Sequence, residues 1–309
     1  MNSSIKNPSN VLIKHSLIYR FFAYIKRRLY EQKKNGIAFI FISTIISIWG
    51  LSLLVVFLWG FNISCTPANE YATNSRFFPE HFTLSNYITA FTSLSNGAGA
   101  SYLMMTFNSF WFSMGSTIFK LIATVCFAYV IARYEFKLRK FLYLFVLVQL
   151  MLPIYGQTVS NYKFLYSIGC VNSPLFLLAM GAGHGMYFLI IHDYFLTLPR
   201  DYTEAAQIDG AGHMKIFLSV MLPLIKPMLL AMGLLTFIAC WNDYSTTLLY
   251  LPDWPTLSSG LYKFRIAARK FDLVVYFAGV FMSAFPIMLL FVIFNKQLMN
   301  NISFGGIKG

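Results

Sequence analysis

The segment from Thr197 to Lys226, TLPRDYTEAAQIDGAGHMKIFLSVMLPLIK, decides how this chain folds. It joins two long apolar runs, is longer than a hairpin of helices needs, and is patterned rather than merely polar. Asp201 followed three residues later by Glu204 reads as a helix N-cap with its capping-box partner, starting a short helix through Glu204, Ala205, Ala206 and Ile208. Gly210 and Gly212 end that helix, because glycine accepts backbone conformations that other residues resist. Ile216, Phe217, Val220 and Met221 then recur at helical spacing, and Pro223 marks the return into the next apolar run. The pattern predicts two short helices meeting at glycines, an L-shaped foot lying at a membrane surface. Paired alanines keep one face thin enough to enter a cleft on another protein, and Glu204 supplies a carboxylate to fix the orientation. On pattern alone, an amphipathic helix resting among lipid headgroups is the alternative.

The sequence on either side requires a membrane. Of 309 residues, 57% are hydrophobic, 18% aromatic and only 11% charged, with a mean hydropathy of +0.61; a soluble domain carries about 25% charged residues. Disorder, a disulfide-stapled module and a coiled coil each need more charge, more cysteine or a heptad repeat. A hydrocarbon core of about 30 Å at about 1.5 Å per residue takes roughly 20 apolar residues. Six segments qualify, near Ile37 to Phe61, Ser109 to Val130, Phe141 to Asn161, Leu175 to Phe195, Leu224 to Tyr250 and Leu273 to Phe294. The expected fold is an all-α polytopic membrane protein with six transmembrane helices, the third kinked at Pro153 and Gly156.

Lys and Arg gather before the first span, in the second and fourth connections and in the tail, which puts both termini in the cytoplasm. The resulting plan is a basic cytoplasmic leader over residues 1–36, a first transmembrane helix over 37–61 and an extracytoplasmic loop over 62–108. A five-helix core follows over 109–295, with the cytoplasmic segment 197–226 inside it, and a cytoplasmic tail over 296–309. The first apolar stretch is too long for a cleaved signal peptide and is expected to stay as an anchor. The net charge of +13 reads as topology rather than as a nucleic-acid surface, because the charges flank apolar runs. The fifth connection breaks the rule by carrying Lys263, Arg265, Arg269 and Lys270 on the outer side, where an acidic partner surface or lipid headgroups would meet them.

Polar groups within the spans are few. Lys120 lies near the middle of the second and is expected to face the interior of an assembly, paired with Asp243 or with a carbonyl of another subunit. Asn242 and Asp243 either cap or bend the outer end of the fifth span or line a cavity. His184, His192 and Asp193 come nearest to a catalytic cluster. The two histidines are eight residues apart, which spreads them about 80° around a helix with no third ligand at a suitable offset. Close helix packing better explains the glycines beside His184. Cys65, Cys126, Cys170 and Cys240 have no metal-ligand spacing, and a disulfide between Cys65 and Cys170 on the outer side stays open. Trp59, Trp111 and Trp254 read as an interfacial belt. No metal site and no catalytic residue is expected.

Glu204-Ala205-Ala206, three residues, Gly210, nine residues, then Val220-x-Leu222-Pro223 resembles the E-A-A-x3-G-x9-I-x-L-P signature of the permease subunits of bacterial ABC importers, with Val220 in place of isoleucine. Flanking residues are similar to the carbohydrate-uptake, MalG-like class. They are Pro79-Glu80-x-Phe82-Thr83-Leu84-x-Asn86-Tyr87, Asn108-Ser109, Leu198-Pro199, Ile208-Asp209-Gly210-Ala211, Leu222-Pro223-Leu224-x-Lys226-Pro227, Trp241-Asn242-Asp243 and Gly305-Gly306-Ile307-Lys308-Gly309. The likeness runs from about Pro79 to Gly309. It implies the type I ABC importer (MetI-like) transmembrane fold in a bacterial inner or plasma membrane. It also implies a coupling helix at Glu204, Ala205, Ala206 and Gly210, completed by Val220, Leu222 and Pro223, that docks into a groove of a cytoplasmic ATPase.

This chain has no G-x-x-x-x-G-K-[ST] phosphate loop, so it is expected to be a transport subunit and not an enzyme. ATP and magnesium would sit on two separate ATPase subunits, and this chain would bind no cofactor. The resemblance further implies a second, non-identical permease and a carbohydrate substrate. It implies an extracytoplasmic solute-binding protein met by Lys263, Arg265, Arg269 and Lys270, and a tail that touches the ATPases through Gly305, Gly306 and Lys308. Import of glycerol phosphate or another polyol derivative on the same scaffold is a competing reading. A membrane-embedded enzyme using His184, His192 and Asp193 is another.

Overall fold

The computed structural model describes residues 36–73, 78–152, 156–182, 185–267 and 273–302, and every regular element among them is a helix. Of the leader expected over 1–36 and the tail expected over 296–309, residues 1–35 and 303–309 lie outside the described residues, and 296–302 continue the last helix. The chain divides into two units at Gly60. The first, as described, is the part of α1 (Gly36–Ser64) up to that glycine; its apolar side chains, Trp49 and Val56 among them, are exposed, as suits a helix whose solvent is lipid.

The second unit starts with the last turn of α1, then α2 (Ala68–Thr73) and α3 (Ser85–Ala98). The expected outer loop 62–108 is therefore largely helical, and its middle is stapled down. Asn86 Nδ2 donates to the carbonyls of Ser64 at 2.9 Å and Thr66 at 2.8 Å, the Thr83 N–H bonds the Cys65 carbonyl at 2.9 Å, and the Tyr87 and Ser64 hydroxyls lie 2.7 Å apart. Carbonyls past the end of a helix have no partner on the helix itself, and these side chains supply one. All four cysteines are free, so no bridge joins Cys65 to Cys170.

Among the described residues, four helical stretches are long and apolar enough to cross a membrane: Phe39–Ser64, Tyr102–Arg133, His213–Trp241 and Leu273–Phe294. The central one, α4 (Tyr102–Arg133), begins about two turns before the expected Ser109, because Ser101 caps it by accepting the Met104 N–H at 3.2 Å. Gly115 lets it approach its neighbours closely; a Cβ there would stand 2.5 Å from Leu177 Cδ1.

The third and fourth expected spans arrive in pieces. α5 (Arg139–Met151) has 13 residues, about 20 Å of rise, short of a core of about 30 Å. α6 (Gln157–Ser167) opens at Gly156, whose φ of +87° only glycine adopts freely; Pro153, the other expected cause of the kink, lies outside the described residues. α7 (Phe176–Ala179), with the 3-10 turn Met180–Ala182, precedes α8 (Gly185–Thr197). The glycine-rich sequence at this break is poor in helix propensity.

After α9 (Asp201–Ile208), the expected second foot helix proves to be the start of α10 (His213–Trp241). A π-turn, Phe217–Met221, carries it past Pro223, with the Leu222 N–H reaching back to the Phe217 carbonyl. Pro223 has no N–H and would clash with a carbonyl four residues back, so the ladder widens by one residue instead of ending. α10 stops at Trp241, short of the expected Tyr250. Asp243, in extended backbone, accepts the Thr246 N–H at 2.9 Å and caps α11 (Tyr244–Tyr250). The fifth connection contains a helix, α12 (Leu257–Ala267), which packs with α3 against α13 (Leu273–Ile302); a Cβ on Gly279 would meet Leu261 at 2.9 Å and Leu94 at 3.0 Å. Its start is tied to α4, where Asn108 Nδ2 donates to the Pro255 carbonyl at 3.0 Å and Ser109 Oγ accepts the Leu257 N–H at 2.8 Å.

Candidate functional site

α9 and the turn into α10 form the foot, and one residue of the central helix holds it. Arg133, the last residue of α4, donates to the carbonyls of Leu198 at 3.1 Å and Pro199 at 3.2 Å and to the Thr203 hydroxyl at 3.4 Å. The chain turns at those carbonyls and offers them no helical donor, so the planar, multi-donor guanidinium suits the task. Arg139 bonds the Ala132 carbonyl at 3.2 Å, and an exposed pair, Arg200 with Glu135 at 3.6 Å, adds little, about 0–1 kcal/mol. The three arginines, with Thr203, Glu204 and Gln207, line a polar cleft of about 290 Å³ beneath the foot.

The expected capping box does not form. Arg200 is already helical, with φ −66° and ψ −26°, so Asp201 is the first helical residue and lacks the extended backbone an N-cap needs. Asp201 and Glu204 still sit in the first turn, where carboxylates are favoured by the helix dipole. At the exit, Gly210 takes φ +76°, its N–H bonds the Gln207 carbonyl at 2.9 Å, and the Ala211 N–H bonds the Ala206 carbonyl at 2.9 Å. That is a Schellman turn, which needs the left-handed residue only glycine supplies cheaply. Ala206 and Ala211 pack inward against the cluster of Tyr129, Phe217 and Met221. Glu204 and Ala205 are exposed, and Ile208 is 87% exposed. Val220 is half-buried in the π-turn, Leu222 packs on the same cluster and Pro223 is exposed. The foot thus keeps its anchoring face within the fold and presents a small, partly apolar face outward.

The remaining expected residues fall elsewhere. Lys120 is half-buried in α4, and its Nζ lies 3.7 Å from Cys240 Sγ; the expected salt bridge to Asp243 is absent, and Asp243 Oδ1 caps α11 instead. A lysine at this depth costs about 2.5–3.5 kcal/mol even on the lenient insertion scale. Asn242 bonds back to the Ile238 carbonyl at 3.0 Å. Lys263 is half-buried on α12, and Arg265 stands 5.9 Å over the Tyr276 ring; Arg269, Lys270, Gly305, Gly306, Lys308 and His184 lie outside the described residues. His192 is buried between Tyr143 and Phe188, with Nδ1 2.9 Å from the exposed Asp193 carboxylate, and among the described residues no group of His, Cys, Asp and Glu could hold a metal ion. Arg133 escaped the sequence reading, which counted it as a topological charge. Its signal was its place in the last turn of an apolar run, where an arginine reaches loose carbonyls.

A helical membrane protein with an exposed small-residue foot strapped to its central span is the class these features define. The chain belongs to the family described as the binding-protein-dependent transport system inner membrane component, whose profile matches residues 21–302. It is 37% identical to the maltodextrin transport system permease protein MdxG of Bacillus subtilis over 185 residues, 59% of this chain and 66% of that one. It is 32% identical to the arabinooligosaccharides transport system permease protein AraQ of Halalkalibacterium halodurans over 238 residues, 75% of this chain and 82% of that one. Its fold matches a chain in the crystal structure of a bacterial ABC transporter involved in the import of the acidic polysaccharide alginate. The TM-score is 0.71 at 19% identity, over 83% of this chain and 95% of that one. The fold is that of an ABC importer permease.

Proposed function

We propose that this chain is one permease subunit of an ATP-driven importer of oligosaccharides, crossing the membrane six times with both termini in the cytoplasm. A second, non-identical permease completes the pathway, two cytoplasmic ATPase subunits hold ATP and magnesium, and an outer solute-binding protein delivers the sugar. Glu204, Ala205, Ala206 and Gly210 form the coupling helix. The observation that carries this is the exposed Glu204-Ala205 edge on a helix locked from behind by Arg133 and by the Gly210 turn. A lever of that kind transmits force because it cannot rotate on its own chain. Swinging two permeases between inward-open and outward-open from 1:99 to 99:1 takes only about 5.5 kcal/mol, within reach of a nucleotide-driven closure. Lys263, Arg265, Arg269 and Lys270 face the binding protein, and Gly305, Gly306 and Lys308 reach the ATPases. The relatives' names, maltodextrin and arabinooligosaccharides, favour an oligosaccharide over a polyol phosphate.

The test is reconstituted uptake. Glu204→Ala and Gly210→Ala variants should insert normally yet lose at least tenfold in ATP-dependent uptake of a maltodextrin, with hydrolysis no longer stimulated by the loaded binding protein. Coupling at the wild-type level in both variants would remove the lever from this account. Uptake of glycerol 3-phosphate in place of any oligosaccharide would reassign the substrate and leave the lever intact.

A further inference from the structure

α4 is two-faced inside the membrane. At about 100° per residue, Phe107, Phe110, Met114, Ile118 and Ile122 fall on one exposed stripe. Lys120 projects roughly 140° away from it, on the side that also carries Ser113, Ser116 and Thr117. Those three side chains are buried; the Ser113 and Thr117 hydroxyls have no hydrogen-bond partner, and that of Ser116 lies beside the Cys240 thiol. This side of the helix is not made for lipid.

Lys120 cannot escape along the helix either. It stands well inside Tyr102–Arg133, about 20 Å of rise from the nearer end, farther than a lysine stem can snorkel. The residue is only half-buried, so its side chain is not sealed inside the chain. The contact it makes, with Cys240 Sγ, is a weak acceptor. Of the 11 acidic residues, Asp193 and Asp243 alone fall in the expected spans. Neither makes an ion pair with Lys120, whose contact is Cys240; Asp243 caps α11 and Asp193 pairs with His192.

We propose that Lys120 is this chain's half of an intramembrane ion pair, and that the carboxylate belongs to a membrane-spanning segment of the second permease. This rests on the proposed function, which supplies that partner. A protein carboxylate fits better than a passing substrate, since the ammonium needs its counter-charge in every state of the cycle and a translocated ligand leaves.

The importer is purified intact from its own host through a tag on this chain, with and without prior treatment of the membranes with dicyclohexylcarbodiimide. That reagent activates a carboxyl group, a touching amine displaces it to form an amide, and the carbodiimide departs as its urea. The expected product is a peptide joining Lys120 to an Asp or Glu of the second membrane subunit. Lys120→Met should give no such peptide and recover at least tenfold less of that subunit, whereas Lys120→Arg keeps it. An amide to a carboxylate of this same chain overturns the proposal, as does full recovery of the second subunit with Lys120→Met. Full recovery combined with lost uptake also overturns it and makes Lys120 a substrate contact. Should the wild-type chain bring down neither a second permease nor an ATPase, the proposed function fails instead, so the two failures are told apart.

Discussion

The foot and the fifth connection, the one expected on the outer side, are both links between spans, and they treat their surfaces in opposite ways. In the outer connection Leu251, Thr256, Leu257 and Ser259 are all at most 2% exposed, and α4 reaches up to bond its backbone through Asn108 and Ser109. In the foot, α9 has no buried residue, and its attachment is the Arg133 strap and the glycine turn behind it. Burial in one case and exposure in the other follow from where each link finds its partners. The outer connection finds them in its own chain and is sealed. The foot keeps Ile208 outward, open to the partner proposed above, and its own chain supplies only the orientation.

Breaking the outer connection should cost the most. The double substitution Asn108→Ala, Ser109→Ala strips the Pro255 carbonyl and the Leu257 N–H of buried partners. Each orphaned group costs about 1–3 kcal/mol, so the purified protein in detergent should unfold at a clearly lower temperature, and the start of α12 should lose protection from hydrogen exchange. An unchanged melting profile would mean that this joint is not what holds the connection.

Releasing the foot should cost less and stay local. Arg133→Met keeps an apolar stem in place and removes three hydrogen bonds to oxygen acceptors that lie part-buried or exposed, where water takes over, so the net loss is about 0.5–1.5 kcal/mol. Hydrogen exchange should speed up over residues 198–212 while α12 and the outer connection keep their protection. A loss of protection spread evenly over both ends would erase the contrast drawn above.

Much of this contrast was legible in the residues. The Gly210 exit followed from the glycine spacing, since a left-handed turn needs that residue; the inward Ala206 did not, because both alanines read as a thin face offered to a partner and only Ala205 is exposed. Cytoplasmic and outer sides were inferred from charge alone, and nothing in the fold bears on them. What could not be read was long-range. The Arg133 strap joins residues 65 and 66 apart in sequence, and the Asn108 bond to Pro255 spans 147 residues; local periodicity contains no information on either. Asp201 was misread for the opposite reason. A strong local signal lost to the backbone already turning at Arg200.

The smallest effect concerns the turn just before the Asn86 staple, where the outer end departs from its rule of neutral, buried bonds. Glu70 Oε1 accepts the Glu80 N–H at 2.6 Å and Oε2 accepts the His81 N–H at 3.2 Å. The Glu80 bond first, with His81 adding to it, holds this carboxyl below its ordinary value of 4.5. A carboxyl with a lowered folded pKa contributes stability that is present above the unfolded pKa and is lost as pH falls through the folded one. Protection factors at the Glu80 and His81 amides should therefore be steady at neutral pH and drop only as pH falls below the ordinary carboxylate value and through the lowered folded one, while the Asn86 and Thr83 joints, which carry no titrating group, keep theirs. Glu70→Gln should weaken the two amides at every pH and abolish the acid-dependent step. If that step survives in Glu70→Gln, or if the Asn86 staple loosens with it, the outer end is not the pH-indifferent counterpart of the foot described above.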